Sequence, residues 1–326
     1  MRILVTGGAG FIGSHLCERL LTDGHDVVVI DNFNDFYDPR CKRRNIDAVA
    51  DAACRSGAGF LLCEGDIRDS GFILELFRQE SPEAVIHLAA AAGVRPSIDY
   101  PLHYEEVNIR GTMNILEGAR AAGVRPFLFV SSSSVYGNSP KTPFSESDPV
   151  DNPISPYAAT KKAGELICYT YHHLYSMNIA CLRLFTVYGP RQRPDLAIHK
   201  FTRLIDRGES IPFYGDGTTS RDYTFVSDIV DGLLKALSWV CGEGGRYDIF
   251  NLGGSRPVEL GRLVELIEEA LGKTARIERL KLQPGDVLQT WADLTKSGAV
   301  LGYSPTTSIE EGVAAFVRWY RETDRI

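Results

Sequence analysis

Short apolar runs recur through the first 185 residues, each closed by polar or small residues and followed by a stretch with helical spacing. The runs are Met1 to Thr6, Asp26 to Ile30, Phe60 to Cys63, Ala84 to Leu88, Phe127 to Val130 and Ile179 to Leu184. Apolar runs of roughly four to eight residues without alternation read as strands buried on both faces. Between them, Phe11 to Asp23, Phe72 to Glu80, Tyr104 to Ala122 and Tyr157 to Met177 read as helices. Strands alternating with helices predict a doubly wound α/β fold, a parallel sheet with helices on both faces. Such sheets bind ligands beyond the carboxyl ends of their strands.

The pattern changes after Phe185. Pro190, Pro194, Pro212 and the glycine-rich Tyr214-Gly215-Asp216-Gly217 punctuate shorter elements. This predicts a smaller α+β lobe over 186–326, with a return to the first domain (1–185) near 224–252.

Composition narrows the function classes. The 326 residues are 44% hydrophobic and 24% charged, with a net charge of -7, which is ordinary globular material. No basic stripe suits a nucleic-acid backbone, and the acidic balance disfavours anionic membranes. No apolar run approaches the ~20 residues that span a bilayer. Met1 leads straight into a strand, so no signal peptide is expected. The seven cysteines are odd in number and scattered, with no C-x-x-C. They predict reduced thiols in a cytoplasmic protein, and no metal site.

The first strand runs into Gly7-Gly8-Ala9-Gly10-Phe11-Ile12-Gly13, which opens a helix. Glycines there allow a tight turn and let backbone N–H groups approach a pyrophosphate at a helix N-terminus. Asp31 closes the second strand at the distance expected of an acceptor for ribose hydroxyls. Its charge would repel a 2′-phosphate, so NAD is favoured over NADP. Together these make the large domain Rossmann-like. Asp66 and Ile67 are candidates for the adenine, the carboxylate accepting from its amine while the Ile67 side chain packs on the ring. The cluster Arg40, Lys42, Arg43 and Arg44 either reaches a phosphate or forms a solvated helix face; the solvated face, or substrate steering, is the reading taken.

Tyr157 and Lys161 share a helix face one turn apart. A free phenol titrates near pH ~10, and a nearby cation lowers that value toward a useful base. Alone, the spacing also fits an exposed helical pair. The serine run Ser131 to Ser134 lies upstream.

These pieces together resemble the extended short-chain dehydrogenase/reductase family over essentially the whole chain, including Arg221-Asp222-Tyr223 and Asp228. The resemblance implies Ser132, Tyr157 and Lys161 as catalytic residues. It implies dinucleotide contacts at Gly7, Gly10, Phe11, Ile12, Gly13, Asp31, Asn32, Asp66, Ile67, Ala89, Ala90 and Asn108, besides Tyr157 and Lys161. Within the family the chain looks most like NAD-dependent UDP-sugar 4-epimerases, which are expected to be homodimers through the helices at Tyr104 to Ala122 and Tyr157 to Met177. Sugar 4,6-dehydratases of the family carry an Asp-Glu pair where Ser133 and Ser134 stand here, so elimination is disfavoured. The decarboxylating branch usually carries a Glu at the Ser134 position and falls in rank as well.

The sugar is argued from the second lobe. Leu184-Phe185-Thr186-Val187-Tyr188-Gly189-Pro190-Arg191-Gln192-Arg193-Pro194-Asp195 resembles the UDP-glucuronate 4-epimerase version of this segment. So do Asp31 to Asp38 and, less closely, Gly93 to Ile98. The resemblance implies that Thr186 and Arg193 hold the C5 carboxylate, with Arg191 as the alternative to Arg193. It also implies substrate contacts at Ser132 and Ser133, pyrophosphate binding by Arg221 and uridine contacts at Gln283 and Asp286. The small Thr290 falls at a position that gates 2-acetamido sugars. The expected reaction is therefore UDP-glucuronate to UDP-galacturonate through a 4-keto sugar. The alternatives are UDP-glucose/galactose or UDP-N-acetylhexosamine epimerisation and, from another class, a non-catalytic dinucleotide sensor.

Overall fold

The structure, a computed structural model, describes residues 1–281 and 287–323. Six parallel strands form in the first half: β1 (Arg2–Thr6), β2 (Asp26–Asp31), β3 (Phe60–Glu64), β4 (Ala84–His87), β5 (Pro126–Ser132) and β6 (Asn178–Leu184). They are linked by α1 (Phe11–Thr22), α2 (Pro39–Ser56), α3 (Ser70–Glu80), α4 (Val94–Asp99), α5 (Pro101–Glu105), α6 (Gly111–Ala121) and α7 (Pro156–Tyr175). The second half holds β7 (Thr186–Tyr188), α8 (Ala197–Asp206), β8 (Ser210–Tyr214), β9 (Ser220–Phe225), α9 (Val226–Val240) and β10 (Tyr247–Leu252). It ends with β11 (Pro257–Glu259), α10 (Leu260–Leu271), β12 (Arg276–Leu280), α11 (Thr295–Leu301) and α12 (Ile309–Thr323).

The large sheet has the order β3-β2-β1-β4-β5-β6-β10, every neighbouring pair parallel. Successive side chains of a strand face opposite ways. Thus Ile3 and Val5 join the core under α1, α2 and α9, while Leu4 joins the core under α3, α6 and α7. That is why these strands read as continuous apolar runs. The order reverses between β1 and β4, the place where such sheets take a ligand. A smaller lobe packs its own core from α8, α10, α12 and β8, including Ile198, Phe213, Leu263 and Phe316. A three-stranded sheet, β11-β9-β7, lies between that core and the large sheet.

One element differs from the sequence reading, and one adds to it. The span Tyr104 to Ala122 is not one α-helix: Glu106–Arg110 forms a π-turn between α5 and α6. The basic cluster belongs to an 18-residue helix, α2, capped by Asp38 through Arg40 N and stopped by Gly57 at φ 74.

Candidate active site

The glycine turn follows β1 at the reversal point. Gly7 has φ 73 and donates its N–H to Ile30 O at 2.7 Å. A Cβ on Gly13 would stand 2.2 Å from Gly7 O, so the start of α1 can lie this close to the turn only without side chains. The N-cap, Gly10, offers no side-chain acceptor, and the first turn of α1 carries no acidic residue. Its N–H groups are thus left for an outside anion. A dinucleotide pyrophosphate fits that cradle.

Asp31 is buried at the end of β2. One carboxylate oxygen accepts from Ala9 N at 3.1 Å and the other from Phe33 N at 2.9 Å. Burial raises its pKa, while those N–H groups and Lys42 act the other way. Asp31 therefore braces the glycine turn against the 32–38 loop. Asn45 of α2 does the same from below, donating to Ala9 O at 2.9 Å; its type and position gave no hint of this.

Three of the expected cofactor residues make contacts within the protein. Asp66 accepts from Arg68 and, at 3.1 Å, from Asn32 Nδ2; chiefly the Arg68 side chain holds its pKa down at about 2. The Ile67 side chain points inward. It is buried against α6, where a Cβ on Gly111 would stand 2.5 Å from Ile67 Cδ1. Asn108, in the π-turn, spends both amide protons inside the protein, on Ala91 O (3.0 Å) and Thr160 Oγ1 (3.0 Å), and accepts from Ala91 N. It ties α7 to the loop after β4 and has no proton left for a ligand. Ala89 and Ala90 line that loop, half-buried.

Beneath the loop runs a directed hydrogen-bond chain. Thr112 donates its hydroxyl to Asn108 O (2.6 Å), so it must accept from His87 Nε2 (3.0 Å). His87 Nδ1 then accepts from Thr6 Oγ1 (2.7 Å), which accepts from Ala89 N (3.1 Å). Burial, aided by Lys161, pushes the His87 pKa down to about 3, so the ring is neutral.

Ser155 caps α7 through Ala158 N, and Pro156 occupies the first turn. This presents Tyr157 to the end of β5, where Ser132 stands. Ser132 accepts from Ser134 N at 3.1 Å and donates to Ser134 Oγ at 3.0 Å. Burial raises the Tyr157 pKa; the Ser132 hydroxyl and the Arg193 charge act to lower it. Lys161 is not among the groups that lower it. Its ammonium is buried, donates to Val130 O at 2.7 Å and lies 5.2 Å from the Phe129 ring centre. Burial brings its pKa down to about 8. Tyr104, which the sequence reading used only as a helix start, sets its ring edge-on to Tyr157 at 6.2 Å. Its hydroxyl is fixed on Ala92 O at 2.9 Å.

The second lobe brings Arg193 over this tyrosine. Arg193 forks onto Asp195 through Nε (3.0 Å) and Nη2 (2.8 Å) and lies 5.1 Å from the Phe36 ring centre. Its charge reaches Tyr157, Tyr104, Tyr37 and Lys42. Lys42 itself does not lie on a solvated face, as expected; it is buried, donates to Asn34 O (2.8 Å) and lies 5.0 Å from the Tyr37 ring centre. Its neighbours separate: Arg40 pairs with Asp38, Arg43 with Glu64, and Arg44 reaches Cys41. Two cations thus flank the mouth of the site, a setting for an anionic ligand.

Arg191 is not brought to the tyrosine. It turns to α1, pairing with Glu18 at 2.8 Å and Ser14 Oγ at 3.3 Å. Thr186 and Ser133 are half-buried near the strand ends. Thr290 is buried, its hydroxyl accepting from Asp222 N at 3.0 Å, and Arg221 donates to Ser220 O at 2.9 Å. Gln283 and Asp286 lie outside the described residues. Among the described residues no group of His, Cys, Asp and Glu could hold a metal ion. No helix there is long and apolar enough to cross a membrane.

Comparison with known proteins agrees with this geometry. The family model described as GDP-mannose 4,6 dehydratase matches residues 4–316. The chain is 42% identical to a UDP-glucuronate 4-epimerase of Thermodesulfobacterium geofontis, over 98% of this chain and 96% of the relative. Among solved structures it resembles the UDP-glucuronic acid 4-epimerase of Bacillus cereus in complex with UDP-glucuronic acid and NAD. The TM-score is 0.90 at 35% identity, over 99% of both chains. It also resembles a UDP-glucose 4-epimerase of Thermotoga maritima with UDP-glucose, at a TM-score of 0.89 and 34% identity over 99% of both chains.

Proposed function

Because this chain belongs to the family described as GDP-mannose 4,6 dehydratase, and within it to the NAD-dependent UDP-sugar 4-epimerases, we propose that it interconverts UDP-glucuronate and UDP-galacturonate. The family's name fits its dehydratase members. Here Ser133 and Ser134 replace the carboxylates that elimination needs. The observation that carries the choice of sugar is Arg193: a guanidinium close enough to bias Tyr157, held by a carboxylate and flanked by Lys42.

NAD, when bound, supplies the acceptor and then the donor of the hydride at C4. The glycine turn, the open N-terminus of α1, and Asp31 would hold it. Tyr157, as phenolate, takes the proton of the sugar 4-hydroxyl while C4 gives up hydride. Ser132 hydrogen-bonds the same oxygen. Lys161 would hold the nicotinamide ribose and keeps positive charge near the tyrosine. The 4-keto sugar would turn about its pyrophosphate tether, held by Arg221, and present its other face, with Tyr157 returning the proton to the C4 oxygen.

A 4-ketoglucuronate is a β-keto acid and loses CO2 once its carboxylate leaves the carbonyl plane. Arg193, with Thr186, fixes that carboxylate through directional bonds. The free protein already has Arg193 in a two-bond fork with a carboxylate, that of Asp195.

The exposed apolar side chains Leu102, Leu166 and Leu174 suit the interface of a homodimer. All seven cysteines are free thiols, the state of a reducing cytoplasm.

The test is a product assay. With NAD, UDP-glucuronate should give UDP-galacturonate with no released CO2. Arg193→Ala should cut turnover of the acid sugar by roughly ten- to hundredfold more than that of UDP-glucose, as lost charge-assisted bonds do. Interconversion of UDP-glucose with UDP-glucuronate untouched would overturn the reading.

A further inference from the structure

The turn that delivers Arg193 is built against expectation. Gln192 N donates to Gly189 O at 3.1 Å, closing a four-residue turn with Pro190 and Arg191 at its centre. Arg191 has φ 65. Positive φ at the third turn position after a proline is the type II pattern, where glycine is strongly preferred because a Cβ is crowded there. Arginine at this place must therefore be held by what its side chain reaches.

It reaches the cofactor helix. Arg191 pairs with Glu18 at 2.8 Å and donates to Ser14 Oγ at 3.3 Å. Beside it, His15 Nε2 donates to Pro190 O at 3.0 Å. Three side chains within about one and a half turns of α1 thus grip two consecutive residues of the second lobe. On the other side of the turn, Gln192 is buried, donating to Val187 O at 3.1 Å while its carbonyl takes His199 Nδ1 at 2.6 Å. With residues 190–192 clamped on both sides, the next residue has one direction to leave in. That residue is Arg193.

We infer that Glu18, Arg191 and His15 form a clip that aims Arg193 at the substrate carboxylate, so that selection for an acidic sugar depends on residues of α1 that never touch the sugar. The inference rests on the reading of Arg193 as the carboxylate anchor. The clip residues are positioning residues. They act on the fit of an acid sugar and leave proton and hydride transfer alone. The clip also joins the helix that takes the dinucleotide to the loop that takes the sugar acid.

The test uses full-length, NAD-loaded protein and five variants: Glu18→Gln, Arg191→Met, Arg191→Lys, the double Glu18→Gln/Arg191→Met variant, and Arg193→Ala as the reference. KM and kcat are measured for UDP-glucuronate and UDP-glucose, with melting temperature and bound NAD recorded. Glu18→Gln and Arg191→Met should each raise KM for UDP-glucuronate on the order of tenfold, the scale of a small misplacement. Their kcat, and KM for UDP-glucose, should stay at the parent values. The double variant should match the worse single one, as partners in one contact do. Arg191→Lys should recover part of the loss, since it restores the charge on Glu18. Equal losses on both sugars would show a merely structural role and overturn the clip. If Arg193→Ala lowers acid-sugar selectivity while the clip variants keep it, the clip fails and the anchor stands. If Arg193→Ala itself leaves selectivity unchanged, the anchor fails and the clip with it. Should Arg191→Met not fold, Glu18→Gln alone decides, because that exposed-edge change keeps the side-chain volume.

Discussion

Two arginine–carboxylate pairs bracket the tyrosine, and their surroundings are opposite. Below it, Arg183 forks onto Glu165 at 2.8 and 2.9 Å with each side chain 1% exposed, and Ser131 adds a hydrogen bond to the same carboxylate at 2.7 Å. Among the described residues Arg183 Nη1 has no hydrogen-bond partner, and the guanidinium carbon lies 4.8 Å from the Tyr136 ring centre. Above it, Arg193 forks onto Asp195, but these side chains are 18% and 44% exposed. Breaking a sealed pair strands a charge in the interior. Breaking a wet one returns the carboxylate to water, with little net change. The floor pair therefore fixes the frame of α7 on β5 and β6, whereas the mouth pair can be exchanged. An incoming carboxylate can take the place of Asp195 at small cost, and that is what a selective mouth over an invariant chemical floor requires.

The difference can be broken most severely at the tyrosine that lies between the two. Tyr157→Phe should lower kcat by on the order of 10²–10⁴ for every UDP-sugar, the range for losing a positioned acid–base group. NAD content and melting temperature should hold; retained turnover would end the catalytic reading. Next in size is the floor against the mouth. Glu165→Gln should cost about 3–5 kcal/mol in urea unfolding, and Asp195→Asn less than ~1 kcal/mol. Equal costs would erase the distinction drawn here.

The last effect is spread over pH. His87 titrates at about 3 in the folded chain against an ordinary 6.5. Between those values the unfolded chain binds the extra proton, so stability falls as pH falls through that window, by about 1.4 kcal/mol per unit. His87→Gln keeps one donor and one acceptor but cannot titrate. The stability gap between parent and variant should therefore shrink steadily from pH 6 to pH 4; parallel curves would refute the assignment.

Much of this was legible locally. The glycine turn, Asp31, and the Tyr157/Lys161 spacing are features of neighbours in sequence, and short-range geometry fixes them. Helix α2 was also marked, by Asp38-Pro39 at its start and Gly57 at its end, with Lys42 in step with the buried Ile46, Val49 and Ala53. Reading Lys42 by its charge hid that register. The orientation of Ile67, the internal use of Asn108 and the Glu165–Arg183 pair depend on contacts between elements far apart in the chain, and no spacing announces them. Arg191 and Arg193 differ by two positions, yet one reaches the cofactor helix and the other the tyrosine, across a turn in which Arg191 itself has a positive φ.

The chain from Ala89 N through Thr6, His87 and Thr112 to Asn108 O has one sense throughout, each group donating to the next. Such a line acts as an electrical insulator. Its two ends are a peptide N–H and a peptide carbonyl, which neither give up nor take up a proton near neutral pH, so the line delivers no proton to the site. A charged imidazole here would sit within the field of Lys161 and drive the proton off that amine. Locked neutral, the histidine adds no second positive charge beside Lys161, and the amine keeps its proton on the hydrogen bond to Val130 O.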